Sequence, residues 1–538
     1  MALLILPHPV SWQNPGLECL LSISHKFVPL YPVPATSLVK RADVDEWQLI
    51  NPSLLRAEGF VDGKWKASTS GKRFDIEDPG TGEIFTSCAD FETSDVDDVV
   101  QSSAKAFKVF GKENPRSRAR KLLEWDRLIR QNKDDLALLL TYESGKPLAE
   151  AHGELDYALG FTWWFAGEAE RIRGNVSSPS APDRRVFVIK QPIGVCVALV
   201  PWNFPVAMIL RKAGAALAAG CTFIAKPSPE TPLTCLALAQ LASEAGFSPG
   251  VFNVVPTSLV NTPAVAEALC KHPLVKKVSF TGSTAIGSLI AKHCSEGLKK
   301  VSLELGGNCP FLIFDDCNQD QALEALLSLK WRHAGQACIT ANRVYVQSGI
   351  YEEFLDKLVA RTKLLKQGHG LDVNTTIGPL TTPRGVAKAQ QHVDDAVAAG
   401  AKVILGGKPA PDSGKGFFFQ PTILRDATQT MLISREETFA PVLAVYRFET
   451  EEEVVQYAND TSMGLASYFF TKNVDRTWRL LENLEAGMIG MNSGNSSAAE
   501  SPFGGMKLSG YGKESGKDVA VEEYLVSKTG TLTLESLG

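Results

Sequence analysis

The chain has 538 residues and a mass of 58.2 kDa, with 44% hydrophobic and 21% charged residues. That mix is near the globular average and excludes wholesale disorder and a collagen-like or coiled-coil fibre. Fifty-five Lys and Arg stand against 60 Asp and Glu, a net charge of -5, so the basic footprint of a nucleic-acid binder is missing and no nucleic-acid partner is expected. Ten cysteines are too sparse for a disulfide scaffold, and no C-x-x-C or H-x-x-x-H pair occurs, so no metal site is expected.

From the N-terminus, residues 1–46 carry few charges and the prolines Pro29, Pro32 and Pro34, the composition of a flexible extension. The first ten residues are apolar but lack a basic flank, which argues against a secretory signal. Arg41 is the only arginine of the segment, so a mitochondrial-transit reading has weak support and a cytoplasmic location is expected. The longest apolar run, Ala213 to Ala225, falls short of the roughly 18–20 residues of a membrane span, and no membrane partner is expected.

The clearest pattern runs from about Gly194 to Leu305. GVCVALV (194–200) is short, apolar and β-branched, as a buried strand should be. Pro205 opens a helix that stops at Gly220, proline at its start and glycine past its end. TFIAK (222–226) is the next strand, followed by a helix from Thr231-Pro232 to near Gly246. VFNVV (251–255), a helix at 263–271, VSFT (278–281), a helix from about Ser283 and KVSLEL (300–305) continue the alternation. RVYVQS (343–348), 351–366, 388–399 and 402–405 repeat it, and residues 407–416 have the composition of a surface loop. Strands alternating with such helices predict an α/β fold with parallel sheets covered on both faces. In such sheets ligands bind beyond the carboxyl ends of the strands. Three of those ends are polar or glycine-rich: Val200–Pro205, Lys226–Pro229 and Phe280–Thr284.

Seven motifs in one order carry a specific resemblance. They are VPWNFP (200–205), KPS (226–228), FTGST (280–284), LELGGN (303–308), GQAC (335–338), EETFAPV (436–442) and SPFGG (501–505). Over residues 58–530 the chain resembles the NAD(P)-dependent aldehyde dehydrogenase superfamily. QPIGV (191–195), ITANRVYVQ (339–347) and two arginines resemble its succinate-semialdehyde dehydrogenase branch most. The resemblance implies a Rossmann-type NAD(P)-binding domain (47–174 and 193–305) and an α/β catalytic domain (306–514). It also implies a small oligomerisation element (175–192 and 515–538) and a homodimer or homotetramer. VEEYLVSKTGTLTL, near the end, has the β-branched alternation of an edge strand that pairs with a neighbouring subunit.

Oxidising an aldehyde to an acid needs hydride loss from a tetrahedral adduct, and a thiolate forms such an adduct and then a hydrolysable thioester. Most of ten cysteines are simply small buried hydrophobes. Cys338 is set apart by Gly335-Gln336 before it and by the motif match, which implies the nucleophile. The resemblance gives Asn203 and the Cys338 N–H as oxyanion donors. It gives Glu304 as the base that activates water. That glutamate ends an apolar strand, where burial raises a carboxyl pKa, although a lysine partner would be the plainer reading.

For the cofactor, NADP or NAD, the resemblance implies Pro201, Trp202, Lys226, Ser228, Gly282, Ser283, Glu437 and Phe439. Lys226 faces the adenosine ribose, Glu437 the nicotinamide ribose, and the helix starting beside Gly282 and Ser283 the pyrophosphate. NAD-preferring members often carry a glutamate three residues after this lysine. Here that residue is Pro229, so NADP is expected to be tolerated; Glu230 next to it leaves the order of preference open.

For the substrate, the branch holds a carboxylate with two arginines and a serine, which correspond to Arg211, Arg332 and Ser497; arginine's planar fork suits that task. The expected reaction is succinate semialdehyde to succinate. The chain departs from the branch at Thr340, where a second redox cysteine is common, and at Trp331, Cys309, Ala440 and the Ser493–Ala499 loop. These departures keep a second specificity open, an aromatic or another carboxylated aldehyde in a biosynthetic paralogue. A non-catalytic structural relative is the remote alternative.

Overall fold

A computed structural model describes residues 49–410 and 414–535. The predicted extension at 1–46 lies outside the described residues. In chain order the elements that build the site begin with a long helix, α1 (Leu148–Ala169). Then come β1 (Val195–Leu199), α2 (Pro205–Ala219), β2 (Thr222–Lys226), α3 (Pro232–Glu244) and β3 (Phe252–Val254). α4 (Thr262–Lys271), β4 (Val275–Thr281), α5 (Thr284–Ser295) and β5 (Lys300–Glu304) complete the first unit.

These five strands run parallel in the order β3-β2-β1-β4-β5. Strand order reverses between β1 and β4, and that reversal opens a crevice at their carboxyl ends. The strands are apolar because helices cover both faces; every residue of β1 and β2 is buried. Three short antiparallel strands extend the sheet: Gly59–Val61 and Lys64–Lys66 at one edge, Gly510–Tyr511 against β5 at the other. The chain thus returns to the first sheet close to its C-terminus.

The second sheet has seven strands. β6 (Cys309–Ile313), α6 (Gln319–Trp331), β7 (Ala341–Gln347), α7 (Tyr351–Thr362) and α8 (Pro383–Ala398) come first. β8 (Lys402–Leu405), β9 (Thr422–Arg425), β10 (Val442–Phe448), β11 (Ala466–Phe470) and β12 (Met488–Met491) follow. The spatial order is β8-β9-β10-β7-β6-β11-β12, and only β8 pairs antiparallel. A separate three-stranded sheet joins Leu525–Thr533, Arg184–Pro192 and Asn175–Ser177, with Leu525–Thr533 at its edge. Phe187, Ile189, Val526 and Leu532 on it are exposed.

Boundaries differ from the predicted ones for local reasons. α8 starts at Pro383, five residues early, because Thr382 accepts from the Gly385 N–H and proline fills the first helical position. β7 starts at Ala341, two residues early, because it pairs in register with Cys309 of β6. α7 ends at Thr362, short of the predicted 366.

Candidate active site

α2 is buried along its whole length, yet it carries two cations, Arg211 and Lys212, each 1% exposed. Isolated buried charges cost several kcal/mol each, so they must be paired. Arg211 Nη2 donates to Glu304 Oε2 at 2.5 Å. Lys212 pairs with Glu514 and donates to Ser279 Oγ at 2.9 Å. Glu304 stands at the end of β5, where Thr281 Oγ1 of β4 donates to the same Oε2 at 2.9 Å. Burial pushes the Glu304 carboxyl up to about 7, against the pull of Arg211. The lysine partner weighed for Glu304 is corrected here: its partner is the buried Arg211.

The loop that leads to Cys338 is built by strain. His333 and Ala334 have φ of 49° and 52°, and Gly335 follows at 76°. Left-handed geometry costs a non-glycine residue about 1–2 kcal/mol. At Gly335 a Cβ would sit 2.3 Å from the Ala440 carbonyl oxygen, so the chain can pass only as glycine. The loop is held by the His333 N–H, which donates to Glu150 Oε2 at 2.7 Å, and by the His333 ring against Trp202 and Phe204. Cys338 is half-buried at its end. Burial and Glu304 push its thiol well above the usual cysteine range, while Arg211 pulls the other way.

The backbone N–H of Cys338 makes no hydrogen bond among the described residues. Asn203 Nδ2 donates to the Gln336 carbonyl at 3.0 Å, which ties the amide to the same loop and leaves its second N–H for another acceptor. These two donors, the thiol and a raised carboxyl are the set needed to form and hydrolyse a thioester. Cys309, a departure from the branch, lies directly beneath, its Sγ 3.5 Å from the Cys338 carbonyl oxygen. Trp331 is buried, and Thr340 donates from Oγ1 to the Leu329 carbonyl.

Three residues that sequence motifs did not reveal complete the framework. Lys146, 1% exposed, pairs with Glu154 of α1 and donates to the Asn203 carbonyl at 2.8 Å. Glu154 Oε1 accepts from the N–H groups of Val206 and Ala207, capping α2. Tyr157, one turn on, shares a 2.5 Å hydrogen bond with Ser497. Lys146→Met should leave Glu154 buried and unpaired, costing about 3–5 kcal/mol. Denaturant unfolding should record that loss as a lower midpoint; an unchanged midpoint would count against this framework.

Lys146, Glu150, Tyr157, Phe204 and Arg332 line a cavity of about 150 Å³. The Arg332 guanidinium lies 5.0 Å above the Phe204 ring, and the residue is exposed. Arg211 sits deeper, with the Phe503 ring 4.1 Å from its guanidinium carbon. Arg211, Arg332 and Ser497 are therefore gathered around Tyr157 and Phe204, but only Arg332 opens directly onto the cavity. A larger groove, about 760 Å³, lies away from the chemistry, against Trp163, Trp164 and Val521.

At the crevice between β1 and β4 the donors suit a dinucleotide. Lys226 ends β2 and is 4% exposed, and its ammonium makes no hydrogen bond or ion pair among the described residues. Burial lowers its ammonium to about 8, which an anionic or hydroxyl-rich ligand would reverse. Ser283 precedes α5 without capping it, so the first N–H groups of that twelve-residue helix are free for phosphate. Gly282 donates its N–H to the Glu304 carbonyl at 3.0 Å. Glu437 Oε1 accepts from the Gly307 N–H at 3.1 Å, and its carboxyl is pushed up to about 7 by burial. Phe439 packs edge-on against Trp202, beside Pro201. Glu230 is held by the Ser228 hydroxyl at 2.5 Å and by Arg384 at 3.2 Å.

The fold and this constellation define an NAD(P)-type α/β oxidoreductase built around a cysteine. The chain belongs to the aldehyde dehydrogenase family, whose model matches residues 65–530. It is 47% identical to a glutarate-semialdehyde dehydrogenase of Pseudomonas aeruginosa, over 89% of this chain and 98% of that protein. It is 44% identical to an NADP(+) succinate-semialdehyde dehydrogenase of Schizosaccharomyces pombe, over 93% and 99%. A crystal structure of an NADP-dependent enzyme of E. coli superposes with a TM-score of 0.89 at 45% identity, covering 90% of this chain and all of that one.

Proposed function

We propose that this enzyme oxidises succinate semialdehyde to succinate with NADP or NAD through a thioester on Cys338. The observation that carries the chemistry is the free N–H of Cys338 beside the Asn203 amide, with Glu304 raised to about 7 nearby. The Cys338 thiol releases its proton to solvent and, as the thiolate, adds to the aldehyde carbon, and the two donors take the resulting negative charge. The bound nicotinamide supplies the hydride acceptor. Glu304 then takes a proton from water, whose oxygen attacks the thioester, and the acid leaves as Cys338 regains its thiol. Lys226, Ser228, the start of α5 beside Gly282 and Ser283, Glu437, Pro201, Trp202 and Phe439 hold the dinucleotide. Arg384 offsets the charge of Glu230, which supports room for a 2′-phosphate.

Arg332, Arg211 and Ser497 hold the substrate carboxylate, and Tyr157 orients Ser497. A charge-assisted hydrogen bond contributes about 1.5–3 kcal/mol, so Arg332→Ala should raise KM for succinate semialdehyde roughly 10–100-fold. KM for butanal should stay within about threefold, since that aldehyde has no carboxylate to lose a partner. Equal losses for both aldehydes would overturn the assignment. Glutarate semialdehyde belongs in the same panel, because a 47% identical relative carries its name. A kcat/KM for the longer aldehyde above that for succinate semialdehyde would shift the substrate by one methylene and leave the mechanism standing.

The exposed edge strand Leu525–Thr533, with Val526 and Leu532 uncovered, supports a homodimer or homotetramer in which this edge meets a second copy. Sedimentation should show the oligomer at micromolar concentration, and a monomer would contradict it. Among the described residues no helix is long and apolar enough to cross a membrane. The nine described cysteines are all free, which supports a reducing compartment, the cytoplasm.

A further inference from the structure

We propose that Arg211 couples recognition of the substrate's far carboxylate to hydrolysis of the thioester, because one guanidinium serves both that carboxylate and the base Glu304. The inference rests on the reading above and deepens it. Arg211 uses Nη2 on Glu304 Oε2. Its Nε and Nη1, and Glu304 Oε1, are buried and make no hydrogen bond among the described residues. Glu514 Oε2 stands 3.7 Å from Nε but is already engaged by Lys212. Two donors of a fully buried guanidinium are thus left for a further acceptor, and Tyr157 and Cys338 are close enough to act on its charge.

The charges decide the consequence. Arg211 and Lys212 of α2 face Glu304 and Glu514, two cations against two anions, all 5% exposed or less. The other groups that bear on Glu304 are Thr281 of β4, which donates to it, Lys513 next to Glu514, and Cys338. A substrate carboxylate on Arg211 adds a third anion to the buried set. Arg332 shares that carboxylate, but it is exposed, so water weakens its pull on the buried Glu304 and the added anion is not fully offset there. Glu304 then binds a proton more tightly, and a carboxylate that binds a proton more tightly draws one from water more readily. A neutral aldehyde leaves Arg211 on Glu304 and the base as it stands in the structure. Arg211 is a positioning residue in this role, since it acts through Glu304.

The test follows hydrolysis of the acyl-enzyme itself, by quenching the full-length protein during turnover and reading thioester decay across pH. Succinate semialdehyde and butanal are compared with the same cofactor. The succinyl thioester should show its pH limb about one unit above that of the butyryl thioester, with a plateau rate several-fold faster. In Arg211→Met the two limbs should coincide, whereas Arg332→Ala should keep them apart at saturating aldehyde. Should Arg211→Met fail to fold, Arg211→Lys should narrow the separation, and the wild-type comparison stands without either variant. Coincident limbs in the wild type, or a separation that survives Arg211→Met, would overturn the coupling. Absence of any succinyl thioester would instead overturn the proposed reaction.

Discussion

Cys338→Ala is expected to abolish aldehyde oxidation, with kcat falling about 10⁴-fold or more, as when other covalent nucleophiles are removed. Cofactor binding should survive, because Lys226 and the start of α5, proposed above to hold the dinucleotide, belong to the other sheet and its helices. Dinucleotide titration by fluorescence separates the two. The eight other described cysteines are buried, and none combines a free backbone N–H with the Asn203 amide as Cys338 does. Residual turnover within tenfold of wild type would mean that another group forms the adduct.

Glu304→Gln is expected to separate the two halves of the reaction. Acylation and hydride loss do not require this carboxylate, so reduced cofactor should appear in a burst of about one equivalent per site. Steady-state turnover should then fall about 10²–10⁴-fold, the usual loss for a general base. The pH dependence gives the sign. Glu304 works as a base only when ionised, and burial has raised its carboxyl to about 7. Hydrolysis in the wild type with a neutral aldehyde should therefore rise with pH through about 7 and level off above it, not near the ordinary carboxylate range. A rate already level from pH 5 upward, or a variant without a burst, would remove Glu304 from the step.

Much of this site was legible because it lies at strand ends. Lys226, Thr281 and Glu304 close β2, β4 and β5, and a parallel sheet delivers its carboxyl ends to one crevice. Asn203 and Gly282 follow β1 and β4 within a few residues, so motif and geometry coincide there. Lys146, Glu154 and Tyr157 were not legible: Lys146 lies just before α1, and the other two lie on that helix, whose sequence advertises only a buried face. Their roles depend on contacts across the chain, such as Lys146 with the Asn203 carbonyl 57 residues on. The same holds for Arg211, which the motif resemblance pointed to as a carboxylate holder but not as the partner of Glu304, 93 residues away. Local pattern encodes an element and its ends; it does not encode which buried cation meets which buried anion.

Mass spectrometry of protein quenched in acid during turnover with succinate semialdehyde and NADP tests the covalent step most directly. The expected result is a succinyl adduct confined to the peptide that holds Cys338, accumulating in Glu304→Gln and absent from Cys338→Ala. A protein that reduces cofactor at full rate with no adduct at any time, or with one on a different residue, would contradict the account.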